Sequence, residues 1–193
     1  MCIIIVKPEG NTLTKDTLET CFINNDDGAG FMWFDDDKGV VVGDKGYMTF
    51  PALWTGLQRK GFTDGDVLTP ERGVVLHCRI ATHGSVQPAL THPFPVSDEE
   101  GLLRSLNWEY GWGLVHNGVI SGVSDWNNKQ ESDTYAFVKN YLADEKVLRL
   151  INHEPFVKLM TFSLRTSNKF AIFTPEGDLV LIGNFLKGQD GNI

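Results

Sequence analysis

Basic residues are in the minority in this chain: lysine and arginine total 17 against 25 aspartates and glutamates, for a formal charge of −8. No basic run interrupts that balance, so nucleic acid and anionic membrane surfaces, which require a basic footprint, are not expected as partners. Cysteine is scarce. Cys2, Cys21 and Cys78 make an odd number with no CxxC pair, which excludes a disulfide framework and a zinc knuckle. His83, His92, His116 and His153 show no metal-ligand spacing, and no metal or other cofactor is expected. No segment approaches the roughly 20 apolar residues of a membrane span. The opening apolar run is too short for the core of a signal peptide, and Lys7 and Pro8 end it. A lipid-anchor cysteine would need a signal sequence ahead of it, where only Met1 stands. Reduced thiols and the lack of a leader give the expectation of a cytoplasmic protein. Repeats, low-complexity tracts and linkers are missing as well, so residues 1–193 are expected to form one domain.

Against these absences stand well-marked elements. "CIIIV" (2–6) is continuously rather than alternately apolar, the pattern of a strand covered on both faces. "TKDTLETCFINN" (14–25) has helical spacing, with Leu18, Cys21 and Phe22 on one stripe. "GFMWF" (30–34) and "GVVVGDKGYMTF" (39–50) read as strands joined by an acidic turn, and "PALWTGLQRKG" (51–61) as a helix with proline at its start and glycine at its end. Residues 73–82 read as a strand and 111–120 as two short strands around a turn. Residues 132–144 read as a helix capped by Ser132. Residues 158–165, 168–177 and 178–185 read as closing strands, the last two joined by "PEGD". Helices interleaved with hairpin-linked strands predict an α+β layered domain with antiparallel sheets.

Polar residues gather where neighbouring segments are apolar. "NNDDGAGF" (24–31) sets carboxylates before Gly-x-Gly, although an Asn/Asp/Gly turn has the same composition. "HCRIATHG" (77–84) ends an apolar strand in an arginine, which is costly to bury unless it meets an anion; a surface arginine is the plainer reading. "HNGVI" (116–120) reads equally as an Asn-Gly turn, and "SDT" (132–134) as a helix N-cap with a favourable first-turn carboxylate.

Taken together and in order, a cysteine next to Met1 followed by D-G-x-G, R-x-A-T-H-G, H-P-F, H-N-G and S-D-T resembles the class II glutamine amidotransferase domain of the N-terminal nucleophile hydrolases. Related glutaminase domains occur in glucosamine-6-phosphate synthase, phosphoribosylpyrophosphate amidotransferase, glutamate synthase and asparagine synthetase. The resemblance implies a four-layer αββα sandwich of two antiparallel sheets between helices. It also implies that L-glutamine is cleaved to glutamate and ammonia through a γ-glutamyl thioester on Cys2. Removal of Met1 would free the Cys2 amine as the base. An α-amine titrates near 7.7–8.0 and a thiol near 8.5, so proton exchange between them is cheap.

By the same resemblance, Asn117 and the Gly118 N–H would form the oxyanion hole. Arg79, with Thr82 and His83, would hold the substrate carboxylate, and Asp133 its ammonium. Asp27, Gly28, Gly30 and His116 would shape the pocket. Cys21 and Cys78 are expected to be packing thiols. Two departures stand out: Ile80 follows the arginine where relatives often carry an aromatic, and Thr91 precedes "HPF" where asparagine is frequent. No synthase segment accompanies the domain, so an ammonia-accepting synthase or ligase in trans is the expected partner. Two alternatives stay open: hydrolysis of another γ-glutamyl amide or peptide, and a catalytically silent binding or regulatory protein with the same fold.

Overall fold

The computed structural model describes residues 2–82, 84–123, 128–164, 168–188 and 190–193. In chain order its elements are β1 (Ile3–Lys7), β2 (Leu13–Thr14), α1 (Lys15–Ile23), β3 (Ala29–Asp35), β4 (Val40–Tyr47), α2 (Phe50–Arg59), β5 (Thr63–Asp64), β6 (Val67–Leu68) and β7 (Val74–Cys78). There follow β8 (Phe94–Pro95), α3 (Glu100–Arg104), β9 (Asn107–Tyr110), β10 (Gly113–Asn117), α4 (Asp133–Phe137), α5 (Glu145–Ile151), α6 (Glu154–Ser163), β11 (Lys169–Phe173) and β12 (Leu179–Ile182). All strand pairing is antiparallel among the described residues. It builds a five-stranded sheet in the order β1-β7-β3-β4-β9, a four-stranded sheet in the order β12-β11-β10-β8, and a small three-stranded sheet β2-β6-β5. The chain is of mixed α+β class, as its pattern predicts.

The apolar run of β1 divides between two cores. Ile5 is buried, and Ile3 partly so, in a cluster with Leu18 and Phe22 of α1 and Leu53, Trp54 and Leu57 of α2. Val6 and Ile4 turn the other way, against Val115 of β10 and Ala171 and Phe173 of β11. Alternation within the strand therefore sends successive residues to two different apolar environments, which is why no polar residue interrupts it. A third cluster joins Leu114, Phe170 and Ile172 of the four-stranded sheet to Tyr135, Val138, Leu142 and Ile151 of the helical segments. Lys7 ends the apolar run but is still part of the strand, as the last residue of β1. Its side chain is fully buried, and its ammonium donates to the carbonyls of Pro8, Asn11 and Thr69 at 3.3, 3.0 and 2.7 Å.

The closing segment differs from expectation. Residues 158–165 read as a strand, but α6 runs through most of them. Pro155 lies in its first turn, where its missing N–H costs nothing, and Glu154 favours the positive end of the helix dipole. These start signals sit upstream of the apolar stretch that suggested a strand. Residues 111–120 hold one strand rather than two: β10 pairs with β11 and β8, while β9, just before it, joins the other sheet. The 132–144 helix is capped as expected, the Ser132 hydroxyl accepting from the Tyr135 N–H at 3.1 Å, and it loosens into a π-helical turn over Val138–Leu142. Among the described residues no helix is long and apolar enough to cross a membrane.

Candidate active site

Cys2 is the residue just ahead of β1, whose pairing with β7 begins at Ile3 opposite Cys78. The thiol is half-buried and lies beside the Ile80 backbone, accepting from its N–H and facing its carbonyl, both at 3.4 Å. Burial pushes the Cys2 thiol up from its ordinary value, opposed by the Ile80 hydrogen bond and the Arg79 charge. A thiol in this setting rests protonated at neutral pH and needs a base to become a nucleophile.

The segment behind the thiol is fixed by Asp27. Its Oδ2 accepts from the Ala81 N–H at 2.8 Å, while its own N–H donates to the Arg79 carbonyl at 3.0 Å. The Arg79 N–H in turn donates to the Gly28 carbonyl at 2.8 Å. Asp27 is thus a positioning residue for residues 79–81. Gly28 has φ +106, and a Cβ there would fall 2.6 Å from Thr91, so the D-G step cannot tolerate a side chain. Gly30 lies deeper in β3, against the His92 carbonyl, and serves packing between strands.

Arg79 is buried, with Nη1 donating to the Ser85 carbonyl at 3.0 Å. Desolvation lowers its pKa, while Cys2, Asp27 and Asp133 pull it back up. A guanidinium held between carboxylates and a thiol keeps its charge and is suited to an anionic group of a ligand. Asp133 is buried at the start of α4. Its Oδ1 accepts from the Thr134 N–H at 2.8 Å and its Oδ2 from the Ile120 N–H at 2.7 Å. The carboxylate therefore ties α4 to the backbone that follows Gly118. That link is absent from the sequence-level role assigned to Asp133.

Asn117 ends β10, and Gly118 follows with φ +140, a conformation open to glycine. Cys2 and Asn117 line one cleft of about 200 Å³ together with Ile3, Ile4, Lys169 and Phe185. The Asn117 Oδ1 is buried and has no hydrogen-bond partner among the described residues. Lys169 was not singled out from sequence. Its place follows from register, since it pairs with Asn117 across β10 and β11.

His116 is structural. Nε2 meets Asn168 Oδ1 at 2.9 Å, Nδ1 meets the Thr134 hydroxyl at 2.8 Å, and the ring stacks on Phe170 at 4.4 Å. An oxygen acceptor at Nε2 places the proton there, so the Thr134 hydroxyl donates to Nδ1. Thr82 is exposed on the segment after Ile80. His83 and Met1 lie outside the described residues. The structure thus gathers Cys2, Asp27, Arg79, Asn117 and Asp133, which come from five separate parts of the chain. Among the described residues no group of three or more His, Cys, Asp or Glu could hold a metal ion.

Cys2 and Cys21 are half-buried, whereas Cys78 is buried. Cys78 is 1% exposed and burial pushes it up to about 12. Iodoacetamide should therefore modify Cys2 and spare Cys78. The Cys2 rate should climb about tenfold per pH unit through the neutral range, because only thiolate reacts. Peptide mapping over a pH series measures both. A plateau below pH 8, or labelling of Cys78 first, would contradict the environments described.

Compared with protein-family models and with curated protein sequences, the chain matches none.

Proposed function

We propose that the chain is an N-terminal-cysteine amidohydrolase of the class II glutamine amidotransferase type, releasing ammonia from L-glutamine. The observation that carries this reading is the meeting of Cys2 and Asn117 in one cleft, with Arg79 and Asp133 close enough to act on each other electrostatically. Arg79 would take the substrate carboxylate and Asp133 its ammonium. Two opposite charges at fixed separation select a free amino acid over a glutamine locked in peptide bonds. Once Met1 is removed, the Cys2 amine takes the thiol proton and the thiolate attacks the side-chain amide carbon. Asn117 and the Gly118 N–H receive the developing oxyanion, such donors contributing about 3–4 kcal/mol each. The proton then passes to the leaving nitrogen, and ammonia departs as the C–N bond breaks. Water hydrolyses the thioester to glutamate. A retained methionine would move the terminal amine by about 3.8 Å, beyond the reach a base needs.

The same reading assigns the chain the four-layer αββα sandwich. Its support is the division of β1 between two cores and the third cluster beyond the four-stranded sheet. The released ammonia would pass to a synthase or ligase in trans. A second reading, cleavage of a γ-glutamyl amide with a substituted nitrogen, is favoured by one observation. Ile3, Ile4, Phe185 and Leu186 give the cleft beside Cys2 an apolar wall. Amine release from a panel of γ-glutamyl amides, set against ammonia release from glutamine, ranks the two.

The direct test is the intact mass of cell-made protein with and without 6-diazo-5-oxo-L-norleucine, a glutamine-like electrophile. The expected result is loss of Met1 and one adduct, located on Cys2. A processed, folded chain that takes up no adduct would overturn the proposal.

A further inference from the structure

A second polar cleft, of about 520 Å³, lies elsewhere on the five-stranded sheet, with Asp44, Tyr47, Gly56, Arg59, Lys60 and Asn107 among its lining. Its floor depends on a break in the sheet. Asp44 and Tyr47 are three residues apart, so regular alternation would point them to opposite faces. The pairing instead steps from Gly30–Lys45 to Ala29–Tyr47, leaving Gly46 as an extra residue with φ +92. This bulge turns Tyr47 onto the face that Asp44 occupies. The Tyr47 hydroxyl then donates to Asp44 Oδ1 at 2.8 Å. Gly56 of α2 completes the fit, since a Cβ there would lie 2.2 Å from the Tyr47 oxygen. Glycine is among the poorest residues for a helix interior, and here it makes room for one phenol.

The charges in the cleft are unequal. Asp44 is 5% exposed, and the Lys60 ammonium stands 3.8 Å from its Oδ2, longer than a direct charge-assisted hydrogen bond. An ionised carboxylate with one phenol bond and one distant cation keeps capacity to accept more donors. Arg59 and Lys60 are exposed at the rim, two cations against one carboxylate in a chain of net charge −8. They sit at the carbonyl end of α2, which would repel an anion. Arg72 offsets this by donating from Nη1 to the Lys60 carbonyl at 3.0 Å.

We propose that this cleft binds a small metabolite that carries a phosphate or carboxylate together with hydroxyl or amino groups. The anionic end meets Arg59 and Lys60, and a hydroxyl or amine donates to Asp44. The volume falls in the ordinary range for small-molecule sites. Ile3, Cys78, Ala29 and Tyr47 are successive partners across the sheet. Three strand spacings, about 14 Å, thus separate Tyr47 from the end of β1 that carries Cys2. The site is separate from the Cys2 cleft and does not depend on what Cys2 does.

The test titrates the full chain with ribose 5-phosphate, gluconate, inorganic phosphate and ribose, read by calorimetry or by shifts of amide resonances. Saturable binding of ribose 5-phosphate or gluconate is expected, with ribose at least about tenfold weaker. The two arms distinguish phosphate from carboxylate as the anionic group. The double variant Arg59→Ala/Lys60→Ala, at exposed positions that leave the fold intact, should weaken binding by about tenfold or more. Asp44→Asn should weaken ribose 5-phosphate and leave inorganic phosphate unchanged; the Arg59/Lys60 double variant carries the test if Asp44→Asn does not fold. Failure of all four probes to saturate by about 10 mM would overturn the proposal. So would binding that the Arg59/Lys60 double variant does not alter.

Discussion

Cys2→Ala is expected to lower ammonia release from glutamine by at least about 10⁴-fold while leaving the circular dichroism spectrum and the melting temperature close to those of the parent chain. The magnitude follows from loss of covalent catalysis, where removing a nucleophile forfeits several powers of ten. The fold should survive because the Cys2 thiol lies before the first paired residue of β1 and its hydrogen bonds among the described residues are with the Ile80 backbone alone. Anchoring comes from Ile5 and Val6, each buried in its own core. Stopped-time ammonia assays on the processed chain and on the variant measure the effect. If the variant turned over glutamine at the parent rate, Cys2 would not be the nucleophile. Asn117 and Gly118 would then have to serve some other end.

The second large effect concerns stability against acid. His77, His92 and His116 are all buried, and burial lowers the pKa of each. His77 is pushed down to about 3. It donates from Nε2 to the His116 carbonyl at 2.9 Å and stands 4.1 Å, centroid to centroid, from His92. Both His92 nitrogens are buried without a hydrogen-bond partner among the described residues. The charges bearing on the group are repulsive in the main, from Arg79 and the buried Lys45, with Asp133 acting in the other sense on His116.

Unfolding exposes these rings, which then take up protons near pH 6.5. The native state refuses the His77 proton until about pH 3. Within that window the unfolded chain binds more protons, so stability falls as pH drops and levels off above 6.5. Between pH 7 and pH 5 His77 alone should cost about 2 kcal/mol, with His92 and His116 adding in the same direction. Urea unfolding at the two pH values measures this. A difference below about 0.5 kcal/mol would mean that the histidines are not held neutral in the native state. His92→Leu, which removes two unpartnered nitrogens and one proton site, should flatten the profile.

Local pattern revealed the elements whose burial is decided locally. The unbroken apolar run of β1, the Ser132 cap and the hairpin joining β11 to β12 were each legible from their own few residues. Residues 158–165 misled because a short apolar stretch has no clear period, and the deciding signals, Glu154 and Pro155, lie ahead of it. The burial of Lys7 was not legible, because no sequence rule shows that carbonyls of Pro8, Asn11 and Thr69 will surround its ammonium. Spacing gave no hint that Cys2 and Asn117 share a cleft, since it is the packing of β1 against β10 of the other sheet that brings them together. Lys169, paired with Asn117, carried no motif and went unnoticed for that reason. The bulge at Gly46 was equally silent, because the glycine at 46 does not by itself distinguish a bulge from an ordinary strand position.

The pairing of β1 with β7 also sets a clock for the newborn chain. Cys2 and the Ile80 backbone that holds its thiol are 78 positions apart. At a synthesis rate of about 5–20 residues per second, β1 waits roughly 4–16 seconds before its partner strand exists. During that wait the first residues have no sheet to enter, and the peptide bond after Met1 stays open to an aminopeptidase. Once β7 arrives and the strand closes, the thiol comes to rest against Ile80 beside Arg79. On the proposed reading, removal of Met1 would fall in the interval before β7 pairs with β1 and brings the Cys2 thiol against Ile80.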